Sequence, residues 1–359
     1  MKLHIFNPEH DMALACGKEH MTLPHVIQEL KTNMGFLPAL WADDGDAVMV
    51  DDVLFALKAL SKSGCRHADV LFVSPCDAGK LVFTGVEPWG WDKVVRRQLL
   101  DAGVAADVMP DGDSLDTLRR LSDRRQAVGL LAMLRDGIAD ATCGESRCCT
   151  DVGEISRLLS ADTQVVLKAP WSSSGRGVRY ANARHREPLE AWARKVVERQ
   201  GGVMVEPYYR KVKDFAMEFR ADGCGNVEYC GLSVFETNNT SYVGNVVATE
   251  EEKERMVSRY IPMVLLDEVR RRLERCFRQT EYKAYRGMLG VDMMVVSRAG
   301  NDGFLLHPCV EVNLRRTMGH VANSITATPA DPVRLMRIVH DVNFRLKIDA
   351  LENCFVKVY

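Results

Sequence analysis

The chain has 359 residues, of which 47% are hydrophobic and 27% charged, and its formal net charge is −2 at neutral pH. This length suffices for two or three domains of ordinary globular composition. The nearly neutral charge argues against a protein that binds nucleic acids or anionic membrane surfaces. No stretch approaches the roughly 20 apolar residues of a membrane span. The first apolar run stops at Asn7-Pro8, unlike a signal peptide, and the eleven cysteines show no pairing pattern, so a cytoplasmic protein with free thiols is predicted.

The first 110 residues or so predict an α/β domain. Strands are predicted at Leu3–Phe6 and Val70–Val73, and each ends in a turn with proline or polar residues. Ligands of open α/β sheets bind at such loops after strands. The turn after the first strand therefore either contacts substrate or simply caps a helix that begins near Met12. The candidate contacts are Glu9, His10 and Asp11.

Two tryptophans stand close together in this first region, within the run Pro88–Asp92. Trp89 and Trp91 could form a stacking platform for a substrate or an interface. A buried corner of the first domain is the alternative, and composition favours it, since large aromatic side chains contribute much of the buried area of cores.

The middle of the chain contains a candidate phosphate-binding loop. The region from 111 to 160 is predicted to be helical and charged, with a loop at 144–147, and a strand at Gln164–Lys168 follows. Small hydroxyl residues and glycines come next, and they let backbone N–H groups approach a polyphosphate while the lysine adds a charge. The pattern is neither a Walker loop nor a dinucleotide fingerprint. The residues of this site are Lys168, Ser172, Ser173, Ser174, Gly175, Arg176 and Gly177.

The elements that follow are predicted from periodicity and turn residues. A Pro262 inside a helical pattern and an Asp331-Pro332 pair mark a helix break and a helix start. In order, we expect a helix at Glu187–Gln200, a strand at Val203–Pro207, a hairpin of Phe215–Arg220 with Val227–Val234, a long helix at Glu250–Thr280 broken at Pro262, and a last helix from Asp331 with Leu335, Ile338, Val339, Val342 and Leu346 inward.

The most informative pattern is a hairpin of two apolar strands, Gly290–Val296 and Phe304–Asn313, around a Gly/Asn/Asp turn. A turn centred at 301–302 places Asp292 opposite Glu311, with Cβ atoms about 5 Å apart, and Asn313 on the same face as Glu311. Two opposed carboxylates repel, and a cation relieves this, so the three oxygen ligands predict a Mg²⁺ site. A proline in the second strand implies an edge position or a bulge. The alternative is an edge hairpin whose acids face water.

Two arginines follow this hairpin directly. Arg315 and Arg316 stand where a guanidinium group could stabilise a transferring phosphoryl group or bind a substrate carboxylate. A solvated basic turn is the alternative, more so for Arg316. His320 has no partner visible in the sequence, so a packing or capping role is predicted for it rather than a catalytic one.

Taken in order, these motifs resemble the ATP-grasp superfamily, over about residues 140–325. The resemblance rests on the lysine strand with its Ser/Gly loop, on Val205-Glu206-Pro207-Tyr208, on Asp214, on Asp292 and, most specifically, on Glu311-Val312-Asn313-Leu314-Arg315. It implies an α/β and α+β architecture in which an N-terminal Rossmann-like α/β domain precedes two α+β lobes that clamp ATP. The implied domains are residues 1–110, a small lobe at 111–205 and a large lobe at 206–359.

The resemblance also implies roles for residues. Lys168 would contact the α and β phosphates, and the loop at 172–177 would cover the β and γ phosphates. Glu206 and Tyr208 would lie at the hinge near the adenine, Asp214 would bind the ribose, and Arg315 would steady the acyl phosphate. Asp292, Glu311 and Asn313 would hold one or two Mg²⁺ ions, with Mn²⁺ able to replace them. A second lysine that often contacts the nucleotide is missing upstream; the candidates to substitute for it are Arg124, Arg125 and Arg147.

The activity implied is that of a ligase that joins a small-molecule or peptide-like carboxylate to an amine, or to a thiol, through an acyl phosphate. ADP and phosphate would be released, and neither nucleic acid nor membrane is expected as a partner. A kinase of the same fold, which phosphorylates a hydroxyl, is the nearest alternative. An ATP-binding regulator without turnover is another, although two metal-bridging acids with Arg315 are more than a binder needs.

Overall fold

The strands in the described part of this chain form three sheets, each built from a consecutive part of the sequence. We describe them from a computed structural model, which covers residues 1–160, 164–172, 177–181, 186–238, 241–298, 300 and 303–351, with the backbone alone at 160, 186, 238 and 241. The strands are β1 Leu3–Ile5, β2 Ala47–Met49, β3 Leu71–Val73, β4 Val86–Pro88, β5 Arg147–Cys149, β6 Val165–Lys168, β7 Val178–Ala181, β8 Val203–Pro207, β9 Lys211–Asp222, β10 Val227–Asn238, β11 Ser241–Val247, β12 Arg286–Ser297, β13 Phe304–Asn313, β14 Arg334–His340 and β15 Phe344–Ala350. The helices are α1 His10–Cys16, α2 His25–Met34, α3 Val53–Ser63, α4 Pro75–Ala78, α5 Lys93–Asp101, α6 Gly112–Leu121, α7 Gln126–Arg135, α8 Val152–Ser160, α9 Arg186–Gln200, α10 Glu250–Ser258, α11 Met263–Gln279 and α12 Met318–Ser324. Within these residues, no helix is long and apolar enough to cross a lipid bilayer.

The first sheet is parallel, with strand order β3-β2-β1-β4. Its two central strands, β1 and β2, are buried throughout, as expected for a parallel sheet covered on both faces, while the outer strands β3 and β4 are partly exposed. Because β1 and β4 are adjacent and parallel, the loops after them meet at one edge of the sheet. The loop after β1 leads into α1, and the loop after β4 leads into α5. This edge carries the first group of candidate residues.

The second sheet has the order β5-β8-β6-β7 and is antiparallel. Helices α8 and α9 cover it through a cluster that includes Ile155, Leu159, Leu189 and Val196. The predicted helix and strands of this region are confirmed to within one residue or so. One difference is that Arg147, expected in a loop, begins β5, because its backbone pairs with Val205 of β8.

The third sheet has seven strands in the order β13-β12-β9-β10-β11-β14-β15. One hydrophobic cluster joins it to α11, with Phe215, Phe219 and Phe277 among its fully buried side chains, and α6 and α7 contribute to the same cluster. The predicted break at Pro262 is confirmed, since α10 ends before it and α11 begins after it. The chain passes from the second sheet to the third between β8 and β9, so that Glu206 lies next to the crossing.

The predicted helix from Asp331 is wrong. This segment forms the hairpin β14–β15, which extends the third sheet beyond β11. Its apolar residues have helical spacing. The segment 334–340 nevertheless forms a strand, because the edge of β11 offers unpaired backbone groups with which it can form hydrogen bonds. Val342 therefore lies in the turn, 83% exposed, instead of facing a core. The hairpin also packs on α2 and α3 of the first domain, where the backbone N–H of Phe344 donates to Asn33 Oδ1 at 2.8 Å.

Candidate functional site

A cleft forms where the three sheets meet. The first sheet contributes His10 and Asp11, the loop after β6 contributes Ser172, and β13 contributes Glu311 and Asn313. These residues are far apart in the sequence, and each stands at or just beyond the end of a strand. The fold thus brings together the three groups of candidate residues that were predicted from separate motifs.

The carboxylate pair has the predicted register, because Asp292 lies directly opposite Glu311 in the β12–β13 ladder. The amide of Asn313 donates to Asp292 Oδ2 at 3.1 Å. Pro308 explains an irregularity beside this pair. The next paired residues are Met294 and His307, so β13 has three residues opposite a single residue of β12. β13 is also an edge strand, and both features expected of the proline are confirmed.

The electrostatics of this pair are those of two crowded acids. Burial, followed by the charge of Glu311, raises the pKa of Asp292 to about 7. Across the described part of the chain, no three His, Cys, Asp or Glu side chains come together as a metal-ligand group. The protein can therefore offer a cation two carboxylates and the Asn313 amide oxygen. This hard oxygen set fits Mg²⁺, which keeps water or phosphate oxygens in its remaining positions.

Arg124 connects the phosphate loop with the acids. It lies between α6 and α7, and its guanidinium group donates to Glu311 Oε1 at 2.6 Å, to the Ala169 carbonyl at 2.6 Å and to Ser172 Oγ at 2.8 Å. Of the three arginines considered as substitutes for a lysine, this one lies in the cleft. Arg125 pairs with Asp123, and Arg147 pairs with Glu154, which leaves both occupied elsewhere.

Lys168 forms a buried ion pair with Glu206. The distance from Nζ to Oε2 is 2.6 Å, and both side chains are 9% exposed. The two residues lie on the neighbouring strands β6 and β8, and Ser146 Oγ donates to the second carboxylate oxygen of Glu206 at 3.3 Å. The predicted phosphate contact and the predicted hinge acid are therefore direct neighbours, which was not expected from their spacing in the sequence.

The phosphate loop is described at its two ends. Ser172 lies against Arg124, and the Gly177 carbonyl accepts from the backbone N–H of Ala169 at 2.9 Å. A Cβ on Gly177 would lie 2.3 Å from the Ser172 Cβ, so only glycine allows this close approach. The predicted contacts Ser173, Ser174, Gly175 and Arg176 lie outside the described residues.

Two further predicted nucleotide contacts lie beside the crossing between sheets. Tyr208 is 45% exposed, and its ring meets Tyr180 edge-on at 5.8 Å. Asp214 is bonded to Lys211 and accepts from Thr237 Oγ1 at 2.6 Å. Neither contact contradicts the predicted roles, which stay predictions.

His307 is a residue of this region that the sequence analysis missed. It is 1% exposed, and neither ring nitrogen has a hydrogen-bond partner among the described residues. Burial, with a smaller effect of the Lys168 charge, lowers its pKa to about 3, so the ring is neutral. A single histidine in an apolar strand gives no signal in a sequence that separates it from core residues.

The two arginines after β13 have different surroundings. Arg315 forms an ion pair with Asp11 of the first domain, with 3.0 Å between Nη2 and Oδ2. Arg316 is instead buried over the Trp41 ring at 4.4 Å, and its backbone N–H donates to the Trp89 carbonyl at 2.7 Å. Trp89 is 7% exposed, which confirms a buried corner there rather than a stacking platform.

His320 is a capping residue, as predicted. It forms a capping box with Thr317 at the start of α12, and its Nδ1 accepts from the Thr317 backbone N–H at 3.1 Å. The same threonine donates through its hydroxyl to Glu218 Oε1 at 2.7 Å. Glu218 is 1% exposed and was not expected to be buried, since alternation in an amphipathic strand does not distinguish a buried acid from a solvated one.

The buried carboxyl group of Glu218 should make the stability of the protein depend on pH. Burial raises its pKa to about 8 from 4.5, so the folded protein binds this proton more tightly than the unfolded chain does. Between these two values the stability of the wild type should fall as pH rises, by at most about 1.4 kcal/mol per unit. Glu218→Gln removes this proton equilibrium. We expect the variant to gain stability relative to the wild type between pH 6 and pH 8.5 in urea unfolding.

Glu228→Gln, at an exposed position of β10, is the matched control and should show no such gain. A difference between Glu218→Gln and the wild type that stays constant across this pH range would contradict the assignment of Glu218 as a buried, protonated acid.

Comparisons with known proteins support the fold. No family model and no curated protein matches the sequence. Among solved structures, the biotin carboxylase–βγ-ATP complex from Campylobacter jejuni matches with a TM-score of 0.51 at 11% identity, over 94% of this chain and 75% of that one. N5-carboxyaminoimidazole synthetase from Staphylococcus aureus with ADP matches at 0.47 and 11%, over 94% and 82%. A RimK domain protein ATP-grasp from Sphaerobacter thermophilus DSM 20745 matches at 0.38 and 18%, over 79% and 100%. The match to the biotin carboxylase complex confirms the fold class predicted from the sequence.

Proposed function

We propose that this chain, which has the ATP-grasp fold, is an ATP-dependent ligase that joins a carboxylate to an amine and releases ADP and phosphate. The observation that carries the proposal is the direct opposition of Asp292 and Glu311 in a cleft between three sheets. Two acids placed this way repel each other, and a divalent cation with a polyphosphate would relieve that repulsion. Mg²⁺ held by these acids and Asn313 would offset the negative charge of the phosphates.

The proposed domain boundaries follow the three sheets. We propose a first domain at 1–110, a small lobe at 111–205 and a large lobe at 206–359, with the nucleotide between the lobes. In support, the three sheets occupy 3–88, 147–207 and 211–350. The helices α6 and α7, which the proposed small lobe includes, pack instead in the hydrophobic cluster of the third sheet. Glu206 and Tyr208 at the crossing would contact the adenine, and Asp214 would contact the ribose.

The cations of the cleft are already paired with carboxylates. Lys168 faces Glu206, Arg124 faces Glu311, and Arg315 faces Asp11. Binding of a polyphosphate would exchange these partners for phosphate oxygens. Lys168 would contact the α and β phosphates, and the loop at 172–177 would exclude water, which would otherwise hydrolyse a mixed anhydride.

The carboxylate substrate would attack the γ-phosphate, and the resulting acyl phosphate would be displaced by the amine, or by a thiol. Arg315 would stabilise the charge of that intermediate, a role supported by its position directly after β13 and by its ion pair with Asp11. Arg124 donates to both the phosphate loop and Glu311, and it would take the place of the missing lysine. A small-molecule or peptide-like carboxylate is the substrate class that we propose.

The test is nucleotide turnover by the purified protein with Mg-ATP and pools of carboxylates and amines. The expected result is ADP and phosphate only when both pools are present. ADP together with a phosphorylated alcohol would identify a kinase instead, and AMP would contradict an acyl-phosphate mechanism.

A further inference from the structure

The first domain presents a buried histidine–aspartate pair to the same cleft. His10 begins α1 after β1, and Asp92 caps α5 after β4, so the meeting of these two loops brings the side chains together. The distance from His10 Nδ1 to Asp92 Oδ2 is 3.0 Å, and both side chains are 2% exposed. The sequence analysis singled out His10 but gave it no partner.

Asp92 is held firmly by hydrogen bonds. Its Oδ1 accepts from the backbone N–H of Val95 at 2.9 Å, and its Oδ2 accepts from Asn7 Nδ2 at 3.2 Å. A Cβ at Gly90 would lie 2.6 Å from the His10 ring, so the ring rests directly on the backbone there. Both carboxylate oxygens of Asp92 thus accept hydrogen bonds, and the Gly90 backbone fixes the position of the imidazole.

This arrangement defines the tautomer of the neutral ring. Because the carboxylate of Asp92 acts as the acceptor in its other hydrogen bonds, Nδ1 of His10 is the donor to it and Nε2 has a free lone pair. In the part of the chain that the structure describes, no polar group pairs with Nε2, and it is not among the solvent-excluded polar atoms. His10 itself is one of the residues that line the cleft.

The neighbours of His10 place it beside the proposed chemistry. The next residue, Asp11, holds Arg315, and both His10 and Asp11 line the cleft with Ser172, Glu311 and Asn313. A group bound in this cleft would therefore lie beside His10. This is where an amine would have to approach an acyl phosphate held by Arg315.

We propose that His10 is the general base for the amine, an assignment that rests on the proposed ligase function. The amine nitrogen attacks the carbonyl carbon of the acyl phosphate, a C–N bond forms, and the C–O bond to phosphate breaks. Phosphate leaves with the electron pair of that bond, and the proton of the attacking nitrogen passes to Nε2 of His10. The imidazolium that results keeps its Nδ1–H bond to Asp92, which stabilises the positive charge.

His10→Asn tests this step. The asparagine amide can replace Nδ1–H as donor to Asp92, but it has no basic atom at the position of Nε2. We expect the rate of amide formation to fall about 100-fold or more. Hydroxylamine is largely unprotonated at neutral pH and needs little help from a base, so the rate of hydroxamate formation should fall at least tenfold less. His67→Asn, the same change at an exposed histidine, is the control and should match the wild type.

Equal losses with the amine and with hydroxylamine, or no loss with either, would overturn the assignment. NMR of ¹⁵N-labelled imidazoles gives a readout that needs no substrate. We expect the neutral His10 ring to carry its proton on Nδ1 in the wild type and to lose that preference in Asp92→Asn. A wild-type ring protonated at Nε2 would overturn the proposal for His10. Wild-type protein that forms ADP with no carboxylate would count against the ligase function itself, whereas the NMR result tests only which nitrogen of His10 carries the proton.

Discussion

Glu311→Gln should reduce ADP formation by at least about 100-fold while the protein remains folded. The amide keeps the shape of the side chain but removes one of the two charges that a divalent cation would bridge. Its oxygen can still accept from Arg124, which donates to Glu311 at 2.6 Å in the wild type. The loss of this ion pair is offset by relief of the repulsion with Asp292, so we expect the free energy of unfolding to change by less than about 1 kcal/mol.

Calorimetry of ADP binding with and without Mg²⁺ tests the proposed role of Glu311 as a metal ligand and needs no carboxylate or amine substrate. In the wild type, Mg²⁺ should strengthen ADP binding, and in Glu311→Gln this effect should be largely lost. Glu228→Gln serves as the matched control, because it makes the same substitution at an exposed position of the same sheet. Turnover equal to that of the wild type, or an undiminished effect of Mg²⁺, would remove Glu311 from the proposed metal site.

Lys168→Met should weaken nucleotide binding by about 10- to 100-fold, because a hydrogen bond to a charged group contributes roughly 1.5–3 kcal/mol. It should also destabilise the protein. Glu206 would be left buried without its partner at 2.6 Å, and breaking a buried pair in this way costs about 3–5 kcal/mol. A single variant therefore does not separate a nucleotide contact from a structural role.

The double variant Lys168→Met/Glu206→Gln separates the two effects. Removal of both charges should restore much of the stability but none of the nucleotide affinity. Lys253→Met is a matched control, since Lys253 is also buried and lies 2.8 Å from Glu250, away from the cleft. It should lower the melting temperature and leave ADP affinity unchanged. If the double variant bound ADP as the wild type does, Lys168 would not be a phosphate contact.

The sequence predicted those parts of the site that depend on local pattern. The opposition of Asp292 and Glu311 was predicted from a turn centred at 301–302, two residues that lie outside the described ones. Nearer the turn, Ser297 pairs with Phe304, and this register alone would bring Cys309 opposite Asp292. The irregularity at Pro308 shifts the ladder by two residues, so that Glu311 takes that position. Contacts between distant segments could not be predicted. Nothing in the spacing of Arg124 or Asp11 indicates that one meets Glu311 and the other Arg315. The Lys168–Glu206 pair depends on the pairing of β6 with β8, which sequence periodicity does not specify.

The helix prediction after Asp331 failed for a related physical reason. Leu335, Ile338 and Leu346 have a spacing that suits a helix, and a proline after an aspartate is a common helix start. The choice between helix and strand was made by tertiary structure, because β11 has an edge to pair with and α2 has an apolar surface to cover. Neither partner is near in the sequence, so the local pattern alone favoured the wrong element.

That hairpin has a consequence for the order of events during synthesis. The hydrophobic cluster around Phe6, Met34 and Trp89 is completed by Met336 and by the half-buried Phe344 and Leu346. A ribosome makes the first three residues long before it reaches the last three. The growing chain must therefore carry a partly uncovered apolar surface until the 247 residues from Gly90 to Met336 have been made, and loss of the β14–β15 hairpin would leave that surface open to other chains.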